Sequence, residues 1–251
     1  DLHSYSATLM YNEDYDEFMA SLDEGSKEAK EKRQKAKIVS FGALYGSKAY
    51  NFSKQLSISM EEAQDVLSRY WSSYPLLAEA MERYGKLSNA HGYSTTLLGR
   101  PRFFNSLKDK IKWLSVETTE KGILTAVEKE GSPWLLEKAE EPNVDYEFLR
   151  AALIKKWKNS ISRQGGNHII QGGAADACKQ AAVNIYNMLK EKNIKGHIVG
   201  LIHDEVIVEV EDERAEEAYE LVSKEMIKAM ERFYPFVSSE VDGTITKHWL
   251  K

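Results

Sequence analysis

The chain is short of cysteine, of long apolar runs and of excess positive charge, and each shortage narrows its chemistry. One cysteine in 251 residues, Cys178, permits no internal disulfide. That fits a reducing compartment, and the simplest role for Cys178 is a small buried helix residue. No apolar stretch is long enough to span a bilayer and no signal-peptide pattern opens the chain, so membrane and secretory classes drop out and a cytoplasmic setting is expected. The formal net charge of -5 excludes a protein that coats nucleic acid by bulk charge, and places the weight on how charge is distributed.

What is present is an ordinary globular composition, 42% hydrophobic, enough to bury one large core or two smaller ones. Lys27, Lys30, Lys32, Arg33, Lys35 and Lys37 form one basic cluster, and Lys155, Lys156, Lys158 and Arg163 a second. Acid gathers between Glu209 and Glu225, most simply a solvated helix face.

Three stretches carry candidate chemistry. In KEAKEKRQKAKIVSFGALYG (27–46), Arg33, Lys37, Phe41 and Tyr45 recur every four residues, so two cations and two rings line one face of a helix. Such a stripe serves an amphipathic surface helix. It also suits a nucleoside triphosphate, with phosphates on the cations and a base against the rings. Ile38, Val39 and Ala43 give the helix a separate core-facing side, and Gly42 and Gly46 thin its end where a flat partner could approach. In ISRQGGNHIIQGGAADACKQAAVNIYNMLK (161–190), Arg163, Asn167 and Gln171 again fall four apart. The four glycines around them cost a helix roughly 1 kcal/mol each against alanine, so close backbone approach is expected there. Arg, Asn and Gln supply donors that match the minor-groove acceptors common to every base pair; a polar helix face with local hydrogen bonds is the alternative. In HIVGLIHDEVIVEV (197–210) two apolar runs flank His203-Asp204-Glu205, a hairpin buried at least on one side. His-Asp is not a favoured hairpin turn, so chemistry rather than turn geometry selects it. A carboxylate at such a tip can hold Mg2+, and two ions about 3.5 to 4 Å apart clamp the attacking and leaving oxygens of phosphoryl transfer.

These blocks, in this order, resemble family A DNA polymerases, the DNA polymerase I type. Arg33, Lys37, Phe41, Gly42, Tyr45 and Gly46 are similar to the R-x3-K-x3-F-G-x2-Y-G fingers helix, Arg163, Asn167 and Gln171 to R-x3-N-x3-Q, and His203-Asp204-Glu205 to H-D-E. The segments RYWSSYP and GYSTTLLGRPRFF resemble a family R-Y-F-x-x-Y-P stretch and a G-Y-x-x-T-L-x-G-R-R hairpin, and VDGTITKHW resembles the closing strand and terminal Trp. The resemblance implies template-directed DNA synthesis, a nucleotidyl group passing from a dNTP to a primer 3′-hydroxyl. It assigns Arg33, Lys37, Phe41, Tyr45 and His3 to the dNTP and Arg163, Asn167, Gln171 and His203 to primer-template DNA. Asp204 is the metal ligand, Glu205 its neighbouring acid, and Asp204, Glu205 and Lys37 are the catalytic set with two Mg2+ ions. Arg100 and Arg102 serve either a phosphate contact or a solvated turn. The implied fold is α+β, helical fingers (1–104) and an antiparallel palm sheet with helices on one face (161–251). No membrane partner is implied, and the setting is a bacterial or viral replication context.

Between 105 and 160 the resemblance lapses into a charged insertion, expected as helices broken at Gly131-Ser132-Pro133 and Pro142, with Trp113, Trp134 and Trp157 as a local core. Between Gly46 and the hairpin, two helices are expected, with a capping box at Ser59 and Glu62 and a break at Pro75. The family's second catalytic carboxylate lies on a D-Y-S-x-x-E-x-R strand upstream of an Asp-x-His; the chain opens at Asp1-Leu2-His3. Neither Asp176 nor Asp242 matches that strand. Activity is therefore expected to need an upstream segment or chain, with an open palm-sheet edge where the strand belongs. A single-subunit RNA polymerase and a non-catalytic primer-template-binding fragment are the rival readings.

Overall fold

The computed structural model describes residues 1–116 and 119–249, and the fold is α+β. Residues 117–118, inside the expected insertion, and 250–251, at the end of the expected palm part, lie outside that description. Two compact units emerge, one of residues 1–94 and 103–167, the other of 95–102 and 168–251.

The first unit begins with α1 (Leu2–Tyr11) and α2 (Tyr15–Asp23), each started by an aspartate that accepts backbone N–H bonds of the first turn, Asp1 from His3 and Ser4, Asp14 from Asp16 and Glu17. Gly25 turns the chain in the left-handed region, and Ser26 caps α3 (Lys27–Leu44). Three helices follow, α4 (Ala49–Leu56), α5 (Met60–Ser73) and α6 (Pro75–His91). Where two were expected, Ser57 in the left-handed conformation closes α4 just before the Ser59–Glu62 capping box opens α5, and Pro75 then starts α6 at its first position. Val39, Ala36 and Ala43 of α3 bury against Met10, Phe18, Phe52, Leu67 and Tyr70, so the expected core side of α3 holds.

Gly42 and Gly46 are approached closely, but by the chain itself. A Cβ on Gly42 would lie 2.5 Å from the ring of Phe52, which is fully buried, and one on Gly46 2.4 Å from the stem of Arg163. Gly46 also sits at φ 76. Gly42→Ala is therefore expected to lower stability by about 1–2 kcal/mol, because overpacking against a ring with nowhere to go outweighs the gain in helix propensity. Urea unfolding reads this directly; equal or greater stability would mean the ring does not seat on Gly42.

β1 (Tyr93–Thr95) and β2 (Pro101–Phe103) pair as the expected hairpin, with Gly99 at φ 78. Residues 105–160, the expected insertion, contain α7 (Asn105–Val116), α8 (Glu120–Glu130), α9 (Pro133–Ala139) and the start of α10 (Tyr146–Glu191), which share one core. Leu114, Ile123, Val127, Leu135, Leu149, Leu153 and Trp157 fill that core. Only Trp157 of the three tryptophans belongs to it. Trp113 and Trp134 are 45% and 50% exposed, and aliphatic side chains with Trp157 close the core.

In the second unit, His168–Glu191 of α10, β3 (Gly196–Ile202), β4 (Glu205–Val210) and α11 (Ala215–Phe233) pack together. Ile198, Val206, Val208 and Val210 of the antiparallel pair meet Ile185, Met188, Leu189, Leu221, Val222 and Met226 of the helices. A register shift between Ile198 and Gly200 interrupts the ladder, and Val199 and Leu201 stay exposed. Among the described residues β3 and β4 form a two-stranded sheet, so both outer edges are unpaired. The expected closing strand does not form; residues 235–249 take no strand conformation.

Candidate active site

α3 positions the first group. Side chains four apart on a regular helix share a face, and here that face stays accessible: Phe41 and Tyr45 are 43% and 46% exposed and Lys37 is exposed. Of the basic cluster, Lys32 is tied to Glu13 and Glu28 and so serves the fold. Lys37 makes no hydrogen bond or ion pair among the described residues.

Asp1 holds the group to α1. Its Oδ2 accepts from Arg33 Nε at 2.9 Å and from Ser4 Oγ at 2.7 Å, while Oδ1 caps the helix. His3, in the first turn of α1, lies with its ring centroid 5.3 Å from that of Phe41. The structure thus brings together His3, Arg33 and Phe41, which sequence spacing alone separates by some thirty positions. Asp1 as the partner of Arg33 was not foreseen; no spacing rule links residues on different helices.

Burial, and then the charges of Arg33 and Lys37, push the His3 imidazole below its ordinary pKa. A group held neutral in the fold binds fewer protons than in the unfolded chain, so its contribution is intact above about pH 6.5 and is lost as pH falls through the lowered folded value. The His3 resonance should titrate with a midpoint below 6.5, and Lys37→Ala should raise that midpoint by removing a neighbouring cation. An NMR titration checks both; a midpoint unmoved by Lys37→Ala would place Lys37 away from the imidazole.

α10 carries Arg163, Asn167 and Gln171 on one continuous helix. Arg163 and Gln171 are exposed and Asn167 is partly so. The glycines beside them accept close neighbours, as expected of that turn sequence. A Cβ would meet Ser88 at Gly165, Met81 at Gly166, Thr96 at Gly172 and the Tyr234 hydroxyl at Gly173, the last at 2.4 Å. The packed side of α10 is therefore glycine and the polar donors keep the other side.

The β3–β4 turn sets the third group. Ile202 pairs with Glu205, which leaves His203 and Asp204 as a two-residue turn, and His203 takes φ 56. A β-carbon is strained there and glycine is the usual occupant, at a saving of order 1 kcal/mol. Asp204 is exposed and without a hydrogen bond or ion pair among the described residues; Glu205 accepts from Trp249 Nε1 at 3.2 Å. Cys178 on α10 is half-buried, and burial and then the Asp204 charge push its thiol above the ordinary range, which keeps it an unreactive thiol at neutral pH.

As a metal site this turn is incomplete. No group of three His, Cys, Asp or Glu that could hold an ion exists among the described residues. Asp204 offers one open carboxylate, and two-ion chemistry needs at least two that converge.

The sequence model of DNA polymerase family A matches residues 1–132 and 135–251. The thermostable DNA polymerase I of Thermus filiformis is 29% identical over 220 residues, 87% of this chain and 20% of that protein. The DNA polymerase I of Caldicellulosiruptor bescii is 26% identical over 243 residues, 97% of this chain and 22% of that protein. Among solved structures, the POL domain of Pol1 from M. smegmatis, in complex with DNA primer-template and dNTP, is similar at a TM-score of 0.62 and 24% identity, covering 91% of this chain and 31% of that one. The chain spans between about a fifth and a third of the length of the curated relatives it matches.

Proposed function

The chain belongs to DNA polymerase family A, and from that membership we propose that it forms the fingers and part of the palm of an enzyme for template-directed DNA synthesis. The observation that carries this is the accessible α3 face, where Arg33, Lys37 and the Phe41 and Tyr45 rings stand together with His3. Arg33 and Lys37 grip the triphosphate and neutralise charge as the bond to the leaving pyrophosphate breaks. Phe41 sits against the sugar, Tyr45 closes over the nascent base pair, and His3 completes the nucleotide contact. Arg163, Asn167 and Gln171 donate to minor-groove acceptors of the primer-template and so check pair geometry without reading sequence. His203, held out by its strained turn, supports the primer end.

Asp204, with Glu205 beside it, is proposed as this chain's ligand for Mg2+. Bound magnesium, as two ions, would polarise the reacting phosphate and lower the pKa of the primer hydroxyl. The second carboxylate is proposed to come from a segment outside these 251 residues, in the same polypeptide or as a separate chain. No described group completes the site alone. The same observation favours the second reading, that these residues by themselves bind primer-template without extending it. The proposed division is 1–104 as fingers and hairpin, 105–160 as a charged insertion and 161–251 as the palm part, in a cytoplasmic setting; no described helix is long and apolar enough to cross a membrane.

The rival single-subunit RNA polymerase differs in the sugar it accepts. An extending assembly that contains this chain should use deoxynucleotides at least about a hundredfold more efficiently than ribonucleotides on one primer-template. Equal or preferred use of ribonucleotides would overturn the DNA polymerase reading.

A further inference from the structure

We propose that Arg100 is a positioning residue for primer-template contact: it staples the glycine turn of α10 and so holds Gln171 where its amide reaches a base edge. This rests on the minor-groove role given above to Gln171, and adds a residue that acts through the helix.

Arg100 meets three successive turns of α10 on one face. Its backbone carbonyl lies 3.2 Å from His168 Nε2, its Nη2 donates to the Gly172 carbonyl at 2.9 Å, and its Nε donates to Asp176 Oδ1 at 2.7 Å. His168, Gly172 and Asp176 are four apart, the spacing of one helical stripe. The turn they span holds consecutive glycines, Gly172 and Gly173, each of low helix propensity. Gln171 stands directly before Gly172, exposed and flanking the gripped stripe.

The hairpin can come so near only because Gly172 has no side chain: a Cβ would lie 2.6 Å from Thr96 Cγ2 and 2.9 Å from the His168 ring. Thr96 in turn fixes the hairpin end, its Oγ1 accepting from Arg100 N and its N donating to the Arg100 carbonyl. The Asp176 side chain is only 7% exposed, and its Oδ2 is buried without a hydrogen bond of good geometry. Burial by itself would raise the Asp176 pKa; the Thr96 hydroxyl and Arg100 overcome it and hold the carboxylate charged, below its ordinary range. Among the described residues Arg100 is its ion-pair partner, and a planar guanidinium reaches the carboxylate and the Gly172 carbonyl together.

The test compares primer-template duplexes with and without a 3-deazapurine at the terminal pair, which deletes the N3 acceptor. Binding to the full chain is read by fluorescence anisotropy at low ionic strength, where weak complexes are measurable. Wild type should bind the deaza duplex about fivefold more weakly, the size of one hydrogen bond, and Gln171→Ala should bind both duplexes alike. Arg100→Ala, Arg100→Lys and Asp176→Asn should all behave as Gln171→Ala does, with the wild-type salt slope kept because the Arg100 guanidinium is engaged by Asp176 and the Gly172 carbonyl and not by phosphate. Asp176→Asn is nearly isosteric and stands in should Arg100→Ala fail to fold. Deaza sensitivity lost in Gln171→Ala but kept in the Arg100 and Asp176 variants would overturn the positioning role alone. Sensitivity kept in Gln171→Ala would overturn the minor-groove reading and this proposal with it.

Discussion

Asp204→Asn is expected to lower primer extension by about a thousandfold or more in any active assembly that contains this chain, while leaving primer-template affinity within about twofold. The side chain is exposed, unpaired among the described residues and set on a two-residue turn at the end of the β3–β4 hairpin. Removing its charge disturbs no contact that supports the fold, but deletes the proposed magnesium ligand, whose support of the transferring phosphate is worth several kcal/mol. The DNA contacts proposed for Arg163, Asn167 and Gln171 lie on α10 and are unchanged. Extension and anisotropy measured on one preparation decide the matter; unchanged turnover would remove Asp204 from the metal site.

Lys37→Ala is expected to cost about a hundred- to a thousandfold in kcat, with a smaller change in nucleotide affinity. Lys37 has no ion-pair partner among the described residues, whereas Arg33, the other cation of the stripe, is held by Asp1 at 2.9 Å. A free ammonium on the accessible face is available to the charge that develops on the phosphates as the bond breaks, and a group that acts at that stage lowers kcat more than it raises KM. Single-turnover rates at saturating nucleotide make the distinction. A defect fully repaired by more nucleotide would reduce Lys37 to a substrate-holding residue.

Much of the fold, and the shared helix face of the candidate site, is legible in the sequence because both rest on local periodicity. Four-residue spacing placed Arg33, Lys37, Phe41 and Tyr45 on one face of α3 and put the core of α3 on Val39 and Ala43. The Ser59–Glu62 box and Pro75 marked helix ends that depend on nearest neighbours. What the sequence could not reveal was contact between distant segments. The pairing of Asp1 with Arg33 and of Arg100 with Asp176 joins residues 32 and 76 positions apart. In the sequence Asp176 shows only that it does not match the metal-binding strand, since mid-helix spacing says nothing of the hairpin that packs over it. The extra helix α4 was missed because its stop is a serine in the left-handed conformation, a place where glycine or asparagine is the usual signal. Three tryptophans in so charged a segment point to a local core, but only Trp157 enters it, and aliphatic side chains of α7 to α10 supply the rest.

The central claim is that these residues hold the nucleotide and primer-template contacts of a family A polymerase, and that their metal site is completed from outside them. Primer extension with Mg2+ and all four dNTPs, by the purified 251-residue chain with and without a polypeptide that carries the second aspartate strand, tests it most directly. The account predicts no extension by the chain alone, despite measurable primer-template binding, and extension once the second polypeptide is added. Robust extension by the chain alone would contradict it and show that the metal site lies elsewhere in these residues.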